Sequence, residues 1–187
     1  MKKRCGWATS KEMIEYHDEE WGLPVRDDRK LFEMLILEGA QAGLSWSTIL
    51  KRRRTYKKAF DNFDAKKISK YDKKDVKRLL NDEGIIRNKL KVAATILNAK
   101  KFLEIQKEFG SFSKYIWGFV NHKQIKNKFN SIKEIPANTK ESNTMSNDLK
   151  RRGFKFVGTT ICYAFMQAVG MVNDHVVNCF RYKQISD

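Results

Sequence analysis

Two pairs of residues at opposite ends of the chain carry the chemistry of metal binding. His175 and Cys179, in the run Asn173-Asp174-His175-Val176-Val177-Asn178-Cys179, are four apart. On a helix that spacing stacks both side chains on one face. Cys5 and His17 form a second pair near the start. Imidazole and thiolate are zinc ligands, and four of them would close a Cys2His2 site joining tail to head. The chain has three His and three Cys, and four of these six fall in the two pairs, which favours a site over scattered core residues. Four protein ligands leave no open coordination position, so such an ion would be structural rather than catalytic. A His and a Cys also serve as plain core residues on a helix, and spacing alone leaves that alternative standing.

A second constellation is aromatic and acidic. Trp7, Trp21 and Trp46 crowd the first 46 residues, and Tyr16 stands beside His17. Glu38 directly follows the apolar run Met34-Leu35-Ile36-Leu37, so a buried helix here would carry a carboxylate away from water. Such a group needs hydrogen-bond partners or a functional reason. Flat rings plus a buried carboxylate suit a planar, positively charged heterocycle, held by stacking, cation–π attraction and N–H bonds to the acid. The alternative is that the tryptophans fill the core and Glu38 pairs with an arginine.

A third stretch, Gly153-Phe154-Lys155-Phe156-Val157-Gly158-Thr159-Thr160, has two glycines bracketing a tight turn ahead of a helix start. Backbone N–H groups there can receive a phosphate, aided by the helix dipole. Lys150, Arg151, Arg152 and Lys155 add positive charge alongside. Lys51-Arg52-Arg53-Arg54, with Lys57 and Lys58, forms another basic run suited to a nucleic-acid backbone or to plain solvated surface.

The elements that must position these groups read as helices. The 187 residues carry 38 Lys and Arg against 22 Asp and Glu, a net charge of +16. That excess points to a polyanionic partner, though Lys-rich codon usage also contributes. No apolar run follows Met1-Lys2-Lys3-Arg4, so no secretory leader is expected. No window approaches a membrane span. The three cysteines do not form a disulfide framework, and the tail, ending Ile-Ser-Asp, has no lipidation box, so a cytoplasmic protein is expected. With two prolines and no long alternating strand pattern, the expected class is all-α, in one domain over 1–187. Ser10 caps a helix to about Trp21. Asp27 or Asp28 caps the apolar one through Leu37, and Ser45 caps another from Trp46 to about Phe60. Asp72 starts a short helix stopping before Gly84, a candidate C′ glycine. A long helix runs from Ile86 to about Phe109, followed by a short aromatic one over Phe112 to Val120. Residues 121–147, rich in Lys, Asn, Ser and Thr, read as a long connecting loop. Helices follow over Met145 to Arg152 and Thr159 to Val169. The last begins near Asn173 and carries His175 and Cys179.

These residues together resemble the bacterial 3-methyladenine DNA glycosylase I family, within the helix-hairpin-helix glycosylase superfamily. The matching segments are Arg4-Cys5-Gly6-Trp7, Tyr16-His17-Asp18, Glu20-Trp21-Gly22, Lys30-Leu31-Phe32-Glu33-Met34, Leu37-Glu38-Gly39 and Gln41-Ala42-Gly43-Leu44-Ser45-Trp46. They continue with Gly84-Ile85-Ile86-Arg87, Phe119-Val120-Asn121-His122, Arg152 to Tyr163, Phe165-Met166-Gln167-Ala168 and Val172 to Val177. The match spans nearly the whole chain and is weakest around 123–147.

The resemblance implies specific roles. One structural Zn2+ per chain is held by Cys5, His17, His175 and Cys179, clasping segments 1–22 and 170–187. The base pocket falls on Glu38, Tyr16, Trp46 and Trp21, with Trp7 close by; Glu38 and Tyr16 are the catalytic candidates. Leu44, beside Gly43, fills the gap left in the base stack. The hairpin, through Gly153, Lys155, Gly158, Thr159 and Thr160, holds the DNA backbone. An aromatic pocket position before Tyr16 is filled here by Met13. Most superfamily relatives carry a catalytic Asp in a Val-Asp-x-His motif, and Asn173 stands there. Bifunctional relatives keep a lysine nucleophile where Thr159 or Thr160 lies. A monofunctional glycosylase without lyase activity is therefore implied, acting as a monomer on double-stranded DNA containing 3-methyladenine and leaving an abasic site. N3-alkylation already places a positive charge on adenine, so the base leaves neutral and no general acid is needed. Two other readings stay open: a non-catalytic DNA-binding or damage-sensing module, and a glycosylase for a different lesion.

Overall fold

The structure is a computed structural model that describes residues 2–185; Met1, Ser186 and Asp187, the ends of the segments expected to be joined by zinc, lie outside the described residues. It is mostly helical. The helices are α1 (Lys11–Glu19), α2 (Asp28–Gln41), α3 (Trp46–Ala59), α4 (Ala65–Ile68), α5 (Lys73–Leu80), α6 (Lys89–Phe109), α7 (Phe112–Trp117), α8 (Lys140–Arg151), α9 (Thr159–Ala168) and α10 (Phe180–Gln184).

Helix α2 is the centre. Every residue from Leu31 to Ala40 is buried, as expected of a helix apolar all round, and it packs on α3, α6, α7 and α9. Its start is fixed twice. The Asp27 carboxylate caps Lys30 N–H, and Asp28 accepts from the Phe112 and Ser113 N–H groups and from Gln106, tying α2 to α6 and α7. Ser10 and Ser45 cap α1 and α3 as the sequence suggests. Arg53 of α3 turns inward and binds Glu20, the C-cap of α1, through two nitrogens and Glu33 through Nε, so α1, α2 and α3 share one partly buried ion-pair network. This corrects the reading of Lys51-Arg52-Arg53-Arg54 as an unbroken surface run.

Other expectations shift in detail. α6 starts at Lys89 behind an Asn88 cap, three residues later than expected. Gly84 is not a C′ glycine, because α5 ends at Leu80 with Asn81 as its cap. It instead lies against α3, where a Cβ would stand 2.8 Å from the Thr55 Cβ. A 3-10 turn, Asp61–Phe63, and α4 fill the stretch between α3 and α5. The expected 121–147 loop is shorter: α8 begins at Lys140 behind a Thr139–Ser142 capping box. Its buried face includes Ser142 and Ser146 beside Met145 and Leu149, and small polar residues on that face hide the helical period.

The chain after α9 departs most from expectation. His175 and Cys179 do not share a helix. Val172–Asn173 form a short strand, β2, pairing in parallel with β1 (Ile125–Lys126), and Cys179 is the N-cap residue of the short α10. An irregular segment ending in a turn at Val177–Asn178 brings the pair together instead. Gly170, at φ +67°, lets the segment before β2 run against Leu23 and Pro24, where a Cβ would stand 2.3 Å from the Leu23 carbonyl carbon. The first and last segments are thereby pressed together.

Candidate active site and metal centre

The four terminal Cys and His residues converge. The Cys5 and Cys179 sulfurs lie 3.6 Å and 3.5 Å from His175 Nδ1, and Cys179 Sγ lies 3.4 Å from His17 Nε2. All four donor atoms fall within 4.8 Å of one another, and all four residues are buried. A tetrahedral ion with bonds of about 2.3 Å to sulfur and 2.05 Å to nitrogen spaces neighbouring S and N ligands by roughly 3.6 Å. The observed spacings match that edge. The remaining ring nitrogens are committed elsewhere. His17 Nδ1 faces Asp18 Oδ1 at 2.8 Å, itself gripped by Arg4, and His175 Nε2 donates to the Trp21 carbonyl at 2.9 Å. Such partners fix the tautomers so that each imidazole presents its lone pair to the thiols, the usual support of a metal-ligating histidine. The Cys5 thiol beside Cys179 holds Cys179 far below its usual range, and Cys5 is correspondingly pushed up. The group is able to hold a metal ion, and its donors suit a closed site.

Beside this centre opens a cleft of about 360 Å³ lined by Trp7, Met13, Tyr16, Trp21, Glu38, Gln41, Trp46, Ile132, Ile135, Ala164 and Gln167. All the aromatic and acidic candidates read from the sequence meet there. Glu38 comes from the last turn of α2, Tyr16 from α1 and Trp46 from the first position of α3. The Tyr16 and Trp46 rings are tilted with centroids 5.4 Å apart, and Trp7 meets Trp21 edge-on at 5.0 Å. Trp7 also packs edge-on against His17, so the walls of the cleft lean on the Cys and His cluster. Glu38 is 3% exposed, and its Oε2 has no hydrogen-bond partner among the described residues. Burial pushes its carboxyl up to about 8. No arginine offsets it, which excludes the ion-pair alternative among the described residues. Tyr16 is likewise raised well above its usual value, by burial first and by Glu38 second.

Leu44 projects from the loop joining α2 to α3 and is 41% exposed. Lys91 donates to the Ala40 and Ala42 carbonyls, both at 2.7 Å, and so ties that loop to α6. The turn between α8 and α9 is held from behind by Asn98, whose amide bonds both the N–H and the carbonyl of Lys155. Phe156 there adopts φ +55°, and a Cβ on Gly39 would stand 3.2 Å from the Phe156 Cβ, so the turn abuts α2 one residue from Glu38. Gly153, Lys155, Gly158, Thr159 and Thr160 lie on this turn and the start of α9, with Lys155 and Thr160 exposed. Arg151 and Arg152 are paired with Asp148, and Arg152 also with Glu108, so part of the adjoining charge is neutralised.

A family model described as methyladenine glycosylase matches residues 7–182. The chain belongs to the methyladenine glycosylase family. DNA-3-methyladenine glycosylase 1 of Escherichia coli (strain K12) is 50% identical over 181 residues, covering 96% of this chain and 97% of that protein. A crystal structure of a 3-methyladenine DNA glycosylase I superposes with a TM-score of 0.93 at 48% identity, covering 95% of this chain and 98% of that one. A 3-methyladenine DNA glycosylase I solved in complex with 3-methyladenine superposes at 0.92 with 33% identity, covering 95% and 96%.

In this methyladenine glycosylase Asn173 is fully buried outside the cleft. Its side chain spans the Tyr182 carbonyl and the His175 N–H. The cleft residues missed in the sequence are Gln41, Ala164, Gln167, Ile132 and Ile135. Gln41 stands one turn beyond Glu38, a signal that was readable. Gln167 is polar in the apolar last turns of α9, and its amide nitrogen is held by Asp174 at 2.8 Å. Ile132 and Ile135 arrive on the irregular segment before α8, whose polar composition gave no sign of them.

Proposed function

We propose that this methyladenine glycosylase removes 3-methyladenine from alkylated double-stranded DNA by hydrolysing the N-glycosidic bond, leaving an abasic site. The observation that carries the reading is Glu38: a buried carboxyl with an unpaired oxygen in an aromatic cleft of purine size. A carboxylate there costs free energy until a cation or N–H donor meets it, so the site favours a base that brings positive charge. The similarity to proteins named for 3-methyladenine, one solved with that base bound, supports the same substrate.

In this reading the base swings out of the duplex into the cleft, and Leu44 fills the gap it leaves. The turn at Gly153–Thr160 holds the backbone in a helix-hairpin-helix manner through Gly153, Lys155, Gly158, Thr159 and Thr160. Tyr16 and Trp46 stack on the base, with Trp21 and Trp7 behind. Glu38 accepts from its N–H edge and ionises as the cation enters. The C1′–N9 bond breaks with its electron pair passing to the base, which departs neutral. Water adds to C1′ of the oxocarbenium-like sugar and releases a proton to solvent. Asn173 is turned away and no lysine stands at 159 or 160, in keeping with hydrolysis alone. Met13 takes a wall position without an aromatic ring. Cys5, His17, His175 and Cys179 would hold one zinc ion, which would supply no chemistry to the bond and would fix segments 1–22 and 170–187 around the cleft. The chain works as one domain and as a monomer, in the cytoplasm; no helix among the described residues is long and apolar enough to cross a membrane. The test is excision from methylated duplex DNA by the wild type and by Glu38→Gln. Loss of a buried hydrogen bond to a charged group costs about 1.5–3 kcal/mol, so the variant should act tenfold or more slowly. Equal rates would remove Glu38 from the site.

A further inference from the structure

Leu44 stands on a loop with little packing of its own. Gly43, Leu44 and Ser45 are all exposed. A Cβ added to Gly43 would meet nothing within 4 Å. Locally the loop is closed by the Leu44 N–H, which donates to the Gln41 carbonyl, and by the Ser45 cap of α3. A wedge left free to move would lose that freedom on entering a duplex, at a cost in free energy. Among the described residues, the hydrogen bonds that reach this loop from outside α2 and α3 come from Lys91, whose Nζ donates to the Ala40 and Ala42 carbonyls at 2.7 Å each. Both carbonyls lie at the C-terminal end of α2, where backbone acceptors run out of helical partners and the helix dipole favours a cation. The last turn of α2 has no basic residue of its own, so the cation arrives from α6. No carboxylate pairs with Lys91 among the described residues, and burial alone shifts its ammonium, downward. Two turns further along α6, Asn98 holds both backbone groups of Lys155. One helix thus anchors the wedge loop and the α8–α9 turn, at points about 10 Å apart along its axis.

Building on the function proposed above, we infer that Lys91 is a positioning residue for the reaction, its two bonds holding the loop so that Leu44 is preset to enter the base stack as the damaged nucleotide leaves it. Lys91 acts through Leu44 and touches neither base nor sugar. Glu38, Tyr16 and Trp46 sit on helices α2, α1 and α3, whose starts are capped independently, so the cleft persists without the tie. The contribution of Lys91 is therefore confined to duplex DNA, where extrusion of a base opens a gap. A single strand has little stack to refill.

The test compares the full-length wild type, Lys91→Met, Leu44→Ala and the double variant. Single-turnover excision of 3-methyladenine is followed on methylated duplex and on methylated single-stranded DNA, and affinity for the free base is measured by calorimetry. Lys91→Met keeps the apolar stem and loses the donors. It should slow duplex excision about tenfold, the scale of one charge-assisted hydrogen bond, and leave single-strand excision and base affinity within about twofold. In the Leu44→Ala background Lys91→Met should cost nothing further, because a wedge already removed cannot be misplaced. The salt dependence of duplex binding should not change, whereas loss of a lysine that contacted a phosphate would flatten it. A wild-type duplex rate for Lys91→Met, equal losses on duplex and single strand, a loss that persists without Leu44, a flattened salt dependence or a fall in base affinity would each overturn the inference. An unchanged duplex rate for Leu44→Ala would instead remove the gap-filling role on which it rests. Absence of excision by the wild type from either DNA would remove the functional reading itself.

Discussion

Replacing Glu38 by glutamine should change the pH dependence of stability in a direction opposite to that of most carboxylates. Burial raises the Glu38 carboxyl from an ordinary 4.5 to about 8. The folded protein thus binds this proton more tightly than the unfolded chain does. The stabilisation is fully present below pH 4.5 and is lost as pH rises through 8. Each tenfold change in proton affinity is worth about 1.4 kcal/mol, so the loss amounts to about 5 kcal/mol at most. Glutamine has the same shape and no titration, and every other ionisable group is common to both proteins. The difference in unfolding free energy, from urea titrations between pH 4.5 and 9, should therefore swing toward the variant by a few kcal/mol. A difference constant across that range would refute a raised Glu38 carboxyl, and with it the idea that the cleft waits for a positive charge. The same group should make excision of the cationic base rise up to tenfold per pH unit below pH 8 and level off above it.

Further outcomes follow from other parts of the structure. Elemental analysis of purified protein should find about one zinc atom per chain, and Cys179→Ser should lose it together with several degrees of Tm; full stability without metal would reject the clasp. Arg53→Met strips the nearest partner from Glu33, whose side chain is 4% exposed, leaving Lys57 at 3.6 Å and Lys30 at 3.9 Å, and should cost about 1–3 kcal/mol in chemical denaturation. Leu44→Ala alters an exposed side chain, so stability should stay within about 0.5 kcal/mol while excision from duplex DNA slows markedly; unchanged excision would dismiss the gap-filling role.

The legible parts of the sequence were those with local signals. Ser10, Asp27, Ser45 and Asp72 mark helix starts because a short polar side chain before an apolar period caps the backbone beside it. Glu38 was conspicuous because charge directly after four apolar residues contradicts the pattern around it. The Cys and His cluster was visible as residue types, but its geometry was not. The His175 and Cys179 spacing suggested one turn of helix, whereas a short strand and a turn achieve the convergence. Ile132 and Ile135 reach the cleft by long-range packing of an irregular segment, which leaves no period to read. Arg53 carries the same charge as its neighbours in sequence, and only the fold, by bringing Glu20 and Glu33 to it, turns it inward.

The most direct test of the proposed activity is to incubate the protein with methylated duplex DNA and identify any base released into solution by chromatography and mass. Release of 3-methyladenine, with abasic sites formed in equal number and the strands uncut, is the expected result. No released base would leave a binding module, and a released base without alkylation would place the enzyme on a different lesion; either would contradict the proposal.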